Sequence, residues 1–280
     1  MKWSKAKTIF IYIFIFVNIF LFTIYKMNSN VENGTDPESV SVILEKYNIK
    51  ADVQLFTSFP PIMAQIEAVC RVPGKETADV LFENPYSAVA DGGYSSETEK
   101  LTVDGADFEY INTAPKREGF SKTGKNNAAS KALALAKDLG VNKRNLFLKS
   151  VSENDDKSFT VALTYKYGDF PVFPDGMTVT LSKDGIISAK GVITELGEIK
   201  NQYYNTIGGV EAFIEYLSAY GSQLKKEKEI GSFECGYYIS EEPGSVSSFA
   251  IPAYEVRFTD GSIIYIDGRA KIDPGFRVLN

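Results

Sequence analysis

The stretch TVTLSKDGIISAKGVI, residues 178–193, determines how the middle of the chain folds. Two runs rich in Thr, Val and Ile flank Asp184-Gly185, and a glycine tolerates the positive φ that a tight turn requires. The stretch therefore predicts two antiparallel strands joined by a hairpin turn. Asp-Gly pairs also occur at 91–92, 104–105, 175–176, 260–261 and 267–268. We expect antiparallel sheet to dominate the fold.

Two segments with helical spacing of apolar residues divide these strands. NNAASKALALAKDLG, residues 126–140, and GGVEAFIEYLSAYG, residues 208–221, both end in glycine, which is typical of a helix stop. Each is followed by three or four strand-like runs, the last two joined by an Asp-Gly turn. A further helix is expected over 37–47, and strands over 51–58 and 62–70. The repeated order of one helix and then a meander predicts tandem modules.

The N-terminal run TIFIYIFIFVNIFLFTIY, residues 8–25, contains no charge. As a helix rising about 1.5 Å per residue it would span about 27 Å, close to the roughly 30 Å hydrocarbon core of a bilayer. Three lysines precede the run and one follows it, which favours a cytoplasmic N-terminus. No small-x-small cleavage motif follows. We expect a retained single-pass anchor in the cell membrane, with the bulk of the chain extracellular.

Asn18 interrupts this apolar run near its middle. An amide in hydrocarbon has no water to bond, so a hydrogen bond to another helix stabilises it by about 0.6–2 kcal/mol. A bond to a carbonyl of its own helix is the alternative. The face predicted by helical spacing to contact a partner helix consists of Ile11, Phe14, Ile15, Asn18, Leu21 and Phe22.

These features together predict an α+β fold in which an N-terminal transmembrane helix precedes tandem helix-plus-antiparallel-sheet modules. The boundaries follow from the composition shifts. They are a cytoplasmic N-terminus (1–7), a transmembrane helix (8–25), a linker (26–37), a first extracytoplasmic α+β region (38–118), a middle α+β module (119–200) and a C-terminal α+β module (201–280).

The composition excludes several classes of function. The chain has no histidine, which removes Ser-His and Cys-His dyads and histidine-ligated zinc. Cys70 and Cys235 form no CxxC pair, so they are either buried thiols or a long-range disulfide. The net charge is −6 although the first 26 residues carry four lysines and no acid, so the remainder is acidic and unsuited to nucleic acid. We predict no catalytic residue, no cofactor and no metal site.

The segment GFSKTGKNN, residues 119–127, resembles two motifs without completing either. A phosphate-binding loop requires Ser or Thr after Gly-Lys, where this chain has Asn126. The Lys-Thr-Gly triplet of penicillin-binding enzymes lacks its S-D-N companion. We therefore expect a basic loop that leads into the helix beginning at Asn126 or Asn127.

Two further stretches carry a resemblance to a known family. The opening MKWSKAKTIFI, with Trp3 followed by Lys7 to Ile11, resembles the start of YycI (WalI) proteins, as does a polar residue at Asn18 within the anchor. IPAYEVRFTDGSIIYIDGRAKI, residues 251–272, is similar to the last module that YycI shares with its relative YycH. The organisation matches over the whole chain, and the matching letters lie at the two ends.

This resemblance implies a regulatory role. YycI and YycH proteins are single-pass proteins of Gram-positive bacteria that bind and modulate the cell-wall-sensing histidine kinase WalK (YycG) through their transmembrane helices and outer domains. The implied partners are therefore a membrane-embedded sensor histidine kinase, a YycH-like protein and the lipid bilayer, in a homo- or hetero-oligomer, with no catalytic residues assigned.

The residues alone leave two other functions open. One is an extracytoplasmic binding module for cell-wall polymer or peptide, to which sixteen tyrosines would contribute stacking surfaces. The other is a surface hydrolase, because a glycosidase needs only two carboxylates at a fixed separation.

Overall fold

One mixed sheet of fourteen strands organises the protein in the computed structural model. The structure describes residues 37–90, 92–116, 124–224, 226–239, 247–271 and 278–279, together with Phe14 and Asn18.

The helices of this described part are α1 (Pro37–Lys46), α2 (Lys75–Leu81), α3 (Lys125–Asp138) and α4 (Gly209–Tyr220). Short 3-10 turns occupy Val53–Leu55, Lys143–Asn145 and Gly221–Gln223. The strands are β1 (Ile49–Lys50), β2 (Ile62–Arg71), β3 (Ser87–Ala88), β4 (Tyr94–Ser95), β5 (Glu99–Asp104), β6 (Asp107–Asn112), β7 (Leu146–Glu153), β8 (Phe159–Tyr167), β9 (Phe170–Leu181), β10 (Ile186–Asn205), β11 (Lys228–Ile239), β12 (Ser247–Phe258), β13 (Ile263–Asp267) and β14 (Val278–Leu279).

The main path through the sheet runs β3-β4-β5-β6-β10-β2-β12-β11-β9-β8-β7, and β10 pairs with β9 as well. Strands β9, β10, β2, β12 and β11 are therefore linked in a closed circuit of backbone pairings. Most pairs are antiparallel, whereas β11 pairs with β9, and β1 with β11, in parallel. The sheet is consequently mixed, and its strands come from every region of the body.

The prediction of tandem helix-plus-antiparallel-sheet modules is wrong, because all of these strands share one sheet. The physical reason is the length of β10, which has 20 residues. Its first half pairs with β9 and β6, and its second half extends past both and pairs with β2 instead. Backbone donors and acceptors in a folded interior need partners, and here those partners come from a distant segment.

The predicted N-terminal transmembrane helix, residues 8–25, lies outside the described residues apart from Phe14 and Asn18. Among the helices that the structure does describe, none has both the length and the apolar character that crossing a bilayer requires.

Several local predictions are confirmed and three are wrong. Hairpin turns occur at 104–105, 184–185 and 260–261, and the helices expected over 126–140, 208–221 and 37–47 form. Asp175-Gly176 does not turn, because it lies inside β9. Asp267-Gly268 does not turn either, because Asp267 ends β13 and the Gly268 amide continues the pairing with β12 by donating to the Pro252 carbonyl at 2.8 Å. The segment 51–58 does not form a strand, because the Asp52 side chain accepts a hydrogen bond from the Gln54 amide and caps the 3-10 turn at Val53–Leu55.

The core covers both faces of the sheet. The apolar faces of all four described helices pack into one large cluster, as Leu81 of α2 and Phe213 of α4 illustrate. A smaller cluster on the other face contains Tyr238 and Ile251, with Tyr265 packed against it. Successive side chains of a strand point to opposite faces, so Tyr237 and Tyr238 enter different clusters.

A close backbone approach fixes where β9 meets β10. Gly191 has φ +144°, and a Cβ added to it would overlap the carbonyl oxygen of Gly176. A Cβ on Gly176 would in turn overlap the ring of Tyr165. The Tyr165 hydroxyl donates to the Val192 carbonyl at 2.6 Å and accepts from the Thr194 amide at 3.0 Å. Two glycines and one tyrosine thus hold the point at which β10 changes partners.

We expect Gly191→Ala to lower the free energy of unfolding by at least about 3 kcal/mol, because both the φ angle and the contact with Gly176 exclude a methyl group. Gly197→Ala on the same strand is the matched control, since a Cβ there meets no atom within 4 Å, and its effect should stay below about 1 kcal/mol. Urea unfolding of the full chain in detergent, followed by circular dichroism, measures both. Equal effects of the two substitutions would contradict the close approach.

Candidate functional site

An open groove of about 640 Å³ lies across four strands, and we take it as the candidate site. Its floor is a row of directly paired residues: Thr102 on β5 faces Glu109 on β6, which faces Lys190 on β10, which faces Thr178 on β9. The remaining lining residues are Asp104, Asp107, Phe108, Pro174, Met177, Gly191 and Tyr265.

The β5–β6 hairpin supplies the acidic end of the groove. Asp104 and Asp107 face each other across the two-residue turn, in which Gly105 has φ +60°. Both carboxylates are exposed. Partial desolvation by the surrounding protein, and secondarily the charge of Asp104, raise the pKa of the Asp107 carboxyl above its usual value. Like charges directly opposite one another destabilise a strand pair, so this arrangement costs the fold some stability.

Tyr265 of β13 forms the wall of the groove. Its hydroxyl donates to Glu255 Oε2 at 3.3 Å, and its ring lies 5.5 Å from that of Phe173 and 4.9 Å from that of Tyr238. Arg257 Nη2 donates to the other carboxylate oxygen of the buried Glu255 at 2.9 Å. These contacts fix the orientation of the ring that faces the groove.

A buried carboxylate holds the opposite end of the same hairpin. Glu99, at the start of β5, is 2% exposed. It accepts hydrogen bonds from the Glu83 amide at 2.7 Å, the Asn84 side chain at 2.9 Å and the Tyr110 hydroxyl at 2.8 Å. Burial raises the pKa of this carboxyl, but the hydrogen bonds outweigh burial and the net pKa lies below the usual value of 4.5. Glu99 is therefore a charged anchor of the hairpin.

The two cysteines are free thiols. Cys70 is buried next to the Thr194 hydroxyl at 3.7 Å, and Cys235 lies 3.1 Å from the Thr57 hydroxyl. Burial raises the pKa of the Cys235 thiol to about 11, so it stays neutral and weakly nucleophilic at physiological pH. Cys70 is a buried thiol and Cys235 is a partly buried one packed against the core, so the disulfide alternative does not fit the structure. Within the described ranges no group of three or more acidic or thiol side chains is placed to hold a metal ion.

The remaining predicted residues lie at or beyond the limits of the described chain. Of GFSKTGKNN, residues 119–123 are outside it, and α3 begins at Lys125, one residue before the expected start. The preceding strand β6 is antiparallel to both of its neighbours, unlike the parallel strand that feeds a phosphate-binding loop.

Of the anchor face, Ile11, Ile15, Leu21 and Phe22 lie outside the described residues, while Phe14 and Asn18 are both helical and exposed. The Asn18 amide donates to the Phe14 carbonyl at 2.8 Å. The structure therefore contains the hydrogen bond from Asn18 to a carbonyl of its own helix, which the sequence left open as the alternative. It uses one of the two N–H donors of that amide.

Sequence reasoning missed the groove. The Asp-Gly pair at 104–105 predicted the hairpin that carries Asp104, and this was the available signal. Lys190 and Tyr265 come from strands about 85 and 160 positions further along, and their approach depends on long-range pairing that no local pattern encodes.

No family model and no curated protein sequence matches this chain. Among solved structures, this chain is similar to an uncharacterized protein from Eubacterium rectale ATCC 33656. The TM-score is 0.45 and the sequence identity 9%, over 82% of this chain and 85% of that chain.

We expect Glu99→Gln to lower the free energy of unfolding by about 2–4 kcal/mol at pH 7. The new NH2 group would face the existing hydrogen-bond donors, and the charge-assisted hydrogen bonds to the carboxylate would be lost. Because the pKa of Glu99 is lower in the native state than in the unfolded state, its carboxylate stabilises the fold at pH values above the unfolded pKa. The loss of stability caused by the substitution should therefore shrink as the pH falls below about 4.5. Urea unfolding between pH 3 and 7 tests this. The exposed neighbour Glu97→Gln is the control, and a pH-independent loss would contradict the assignment.

Asp107→Asn should have the opposite effect. The pKa of Asp107 is higher in the native state than in the unfolded state, so protonation of this carboxyl favours folding. That contribution to stability is fully present below the usual pKa of 3.8 and is lost as the pH rises through the native pKa. Replacing it by a neutral amide should therefore raise the free energy of unfolding at pH 7, by less than about 1 kcal/mol for an exposed group. The gain should vanish near pH 3 in the same titration. A loss of stability at pH 7 would show that Asp107 supports the fold.

Proposed function

We propose that this protein is a membrane-anchored extracytoplasmic regulator of the YycI type, which binds and modulates a WalK-type histidine kinase. The observation that carries the proposal is the uncharged run at 8–25 with Asn18 near its centre. Polar residues are rare in single spans and stabilise contacts between helices in hydrocarbon, where water is absent. The N-terminus would then be cytoplasmic and the sheet would face the outside of the cell membrane.

The geometry of Asn18 is compatible with such a contact. The bond to the Phe14 carbonyl leaves a second N–H donor and the amide oxygen, which takes no part in that bond. The helical face shared by Phe14 and Asn18 would present an apolar surface and this amide to a partner helix.

The absence of histidine from the sequence supports action through a partner. A chain without histidine has no phospho-accepting histidine of its own, so a role in this signalling system requires contact with a kinase that has one. A regulator changes a kinase only if it binds the two signalling states with different affinity. The anchor contributes one contact, and the outer sheet, together with a YycH-like partner, would contribute others.

Asn18→Leu should weaken co-purification of a histidine kinase from detergent-solubilised membranes by about 3- to 30-fold, the range that 0.6–2 kcal/mol corresponds to. Phe16→Leu is the matched control, because two positions along the helix predicted over residues 8–25 correspond to about 200° of rotation, which would place this side chain opposite Asn18. Recovered kinase would be quantified by mass spectrometry.

Limited proteolysis of both variants should give the wild-type pattern for the outer body. Undiminished kinase recovery with Asn18→Leu would count against this face as the contact. Absence of any histidine kinase from the wild-type preparation would count against the function itself.

A further inference from the structure

Two polar side-chain atoms at the base of the β5–β6 hairpin are shielded from solvent and have no hydrogen-bond partner in the described chain. They are Asn112 Nδ2, at the end of β6, and Glu83 Oε1, in the loop after α2. Folded proteins pair almost all such groups with protein or with ordered water, because a buried donor or acceptor without a partner costs free energy. These two atoms therefore point to an occupant that the chain itself does not supply.

The bonds made by the other half of each side chain determine which atoms are left. Asn112 Oδ1 accepts a hydrogen bond from the Ala114 amide at 3.0 Å, so the NH2 group takes the other position of this side chain. Glu83 Oε2 accepts from the Lys116 amide at 2.8 Å, so Oε1 is the oxygen that lacks a bond. Asn112 is only 1% exposed. The occupant therefore meets a donor on Asn112 and an acceptor on Glu83.

Both side chains lie around Glu99 and the Tyr110 hydroxyl. Asn112 is paired directly with Glu99 in the register of β5 and β6, and the Glu83 amide donates to Glu99 Oε1 at 2.7 Å. The Tyr110 hydroxyl donates to the same oxygen at 2.8 Å. Burial, and then Glu99, raise the pKa of Tyr110, whereas the Asn112 amide lowers it and the charge of Glu83 raises it. The two side chains thus act on one hydroxyl.

The chemistry of the two atoms selects the occupant. The N–H of Asn112 repels a cation, and the Glu83 carboxylate repels an anion. The occupant must accept from one atom and donate to the other, and it must be small because neither atom reaches solvent. Water meets both requirements, and a buried water typically makes about three hydrogen bonds. The Tyr110 hydroxyl, whose proton goes to Glu99, keeps an acceptor lone pair for the third bond.

We propose that one buried water molecule accepts a hydrogen bond from Asn112 Nδ2, donates one hydrogen to Glu83 Oε1 and donates the other to the Tyr110 hydroxyl oxygen. This water joins the end of β6 to the loop after α2. Glu99 binds the same loop directly, so the base of the hairpin is held both by a carboxylate and by a water. The proposal is independent of the kinase interaction.

The first test is a crystal structure of the full chain in detergent, at a resolution that shows ordered water. We expect a single peak of water density at about 2.5–3.2 Å from each of Asn112 Nδ2, Glu83 Oε1 and the Tyr110 hydroxyl oxygen. This measurement uses the wild-type chain, so it does not depend on how any variant folds.

The second test counts long-lived internal waters in solution by oxygen-17 relaxation dispersion. Asn112→Leu keeps a side chain of similar size and removes the donor, so this variant should hold one long-lived water fewer than the wild type. Asn205→Leu, the same substitution at an exposed position of β10, is the matched control and should leave the number unchanged. Circular dichroism of each variant shows whether the sheet is intact.

Several outcomes would overturn the proposal. These are the absence of density between the two atoms, two waters that each bond only one of them, a direct hydrogen bond between Asn112 and Glu83, and a metal ion at this position. An unchanged number of long-lived waters in a folded Asn112→Leu variant would overturn it as well. If that variant does not fold, the wild-type crystal structure decides.

Discussion

The fold depends on one position at which a strand changes partners. Strand β9 pairs with β11 near Val172 and with β10 from Met177 onward. Strand β10 leaves β6 at Val192 and meets β2 at Ile193. Backbone groups at such a transition risk having no partner, and an unpaired buried group is costly. The Tyr165 hydroxyl meets this need by bonding the backbone on either side of Ile193. Burial raises the pKa of Tyr165 to about 12, so the phenol remains a neutral donor.

The same constraint determines where the groove lies. Because Gly176 and Gly191 let the two backbones approach closely, β9 and β10 pair in a fixed register, and β6 and β5 continue that register outward. Thr178 and Lys190 therefore come into line with residues about 80 positions earlier in the chain. Asp104 and Asp107 lie beside that line, two residues away from Thr102 and Glu109 along β5 and β6. The groove is thus a consequence of the sheet's closure, and it requires no dedicated loop.

The sequence was informative wherever structure depends on neighbouring residues. The spacing in 126–140 and 208–221 predicted α3 and α4, and Asp184-Gly185 predicted the β9–β10 hairpin. Prediction failed where a residue serves a distant contact. Gly176 looks like a turn residue, but its lack of a side chain makes room for Tyr165 inside a continuous strand. The parallel pairing of β11 with β9 likewise leaves no local pattern, so tandem modules were expected where one sheet formed.

The β5–β6 hairpin shows how position determines what a carboxylate contributes. Glu99 is buried and receives hydrogen bonds that favour its charged form, so it stabilises the hairpin at neutral pH. Asp107, at the other end, faces Asp104 and has a raised pKa, so its charge opposes folding. A hairpin held by Glu99 at its base can carry this unfavourable pair at its tip without losing its register.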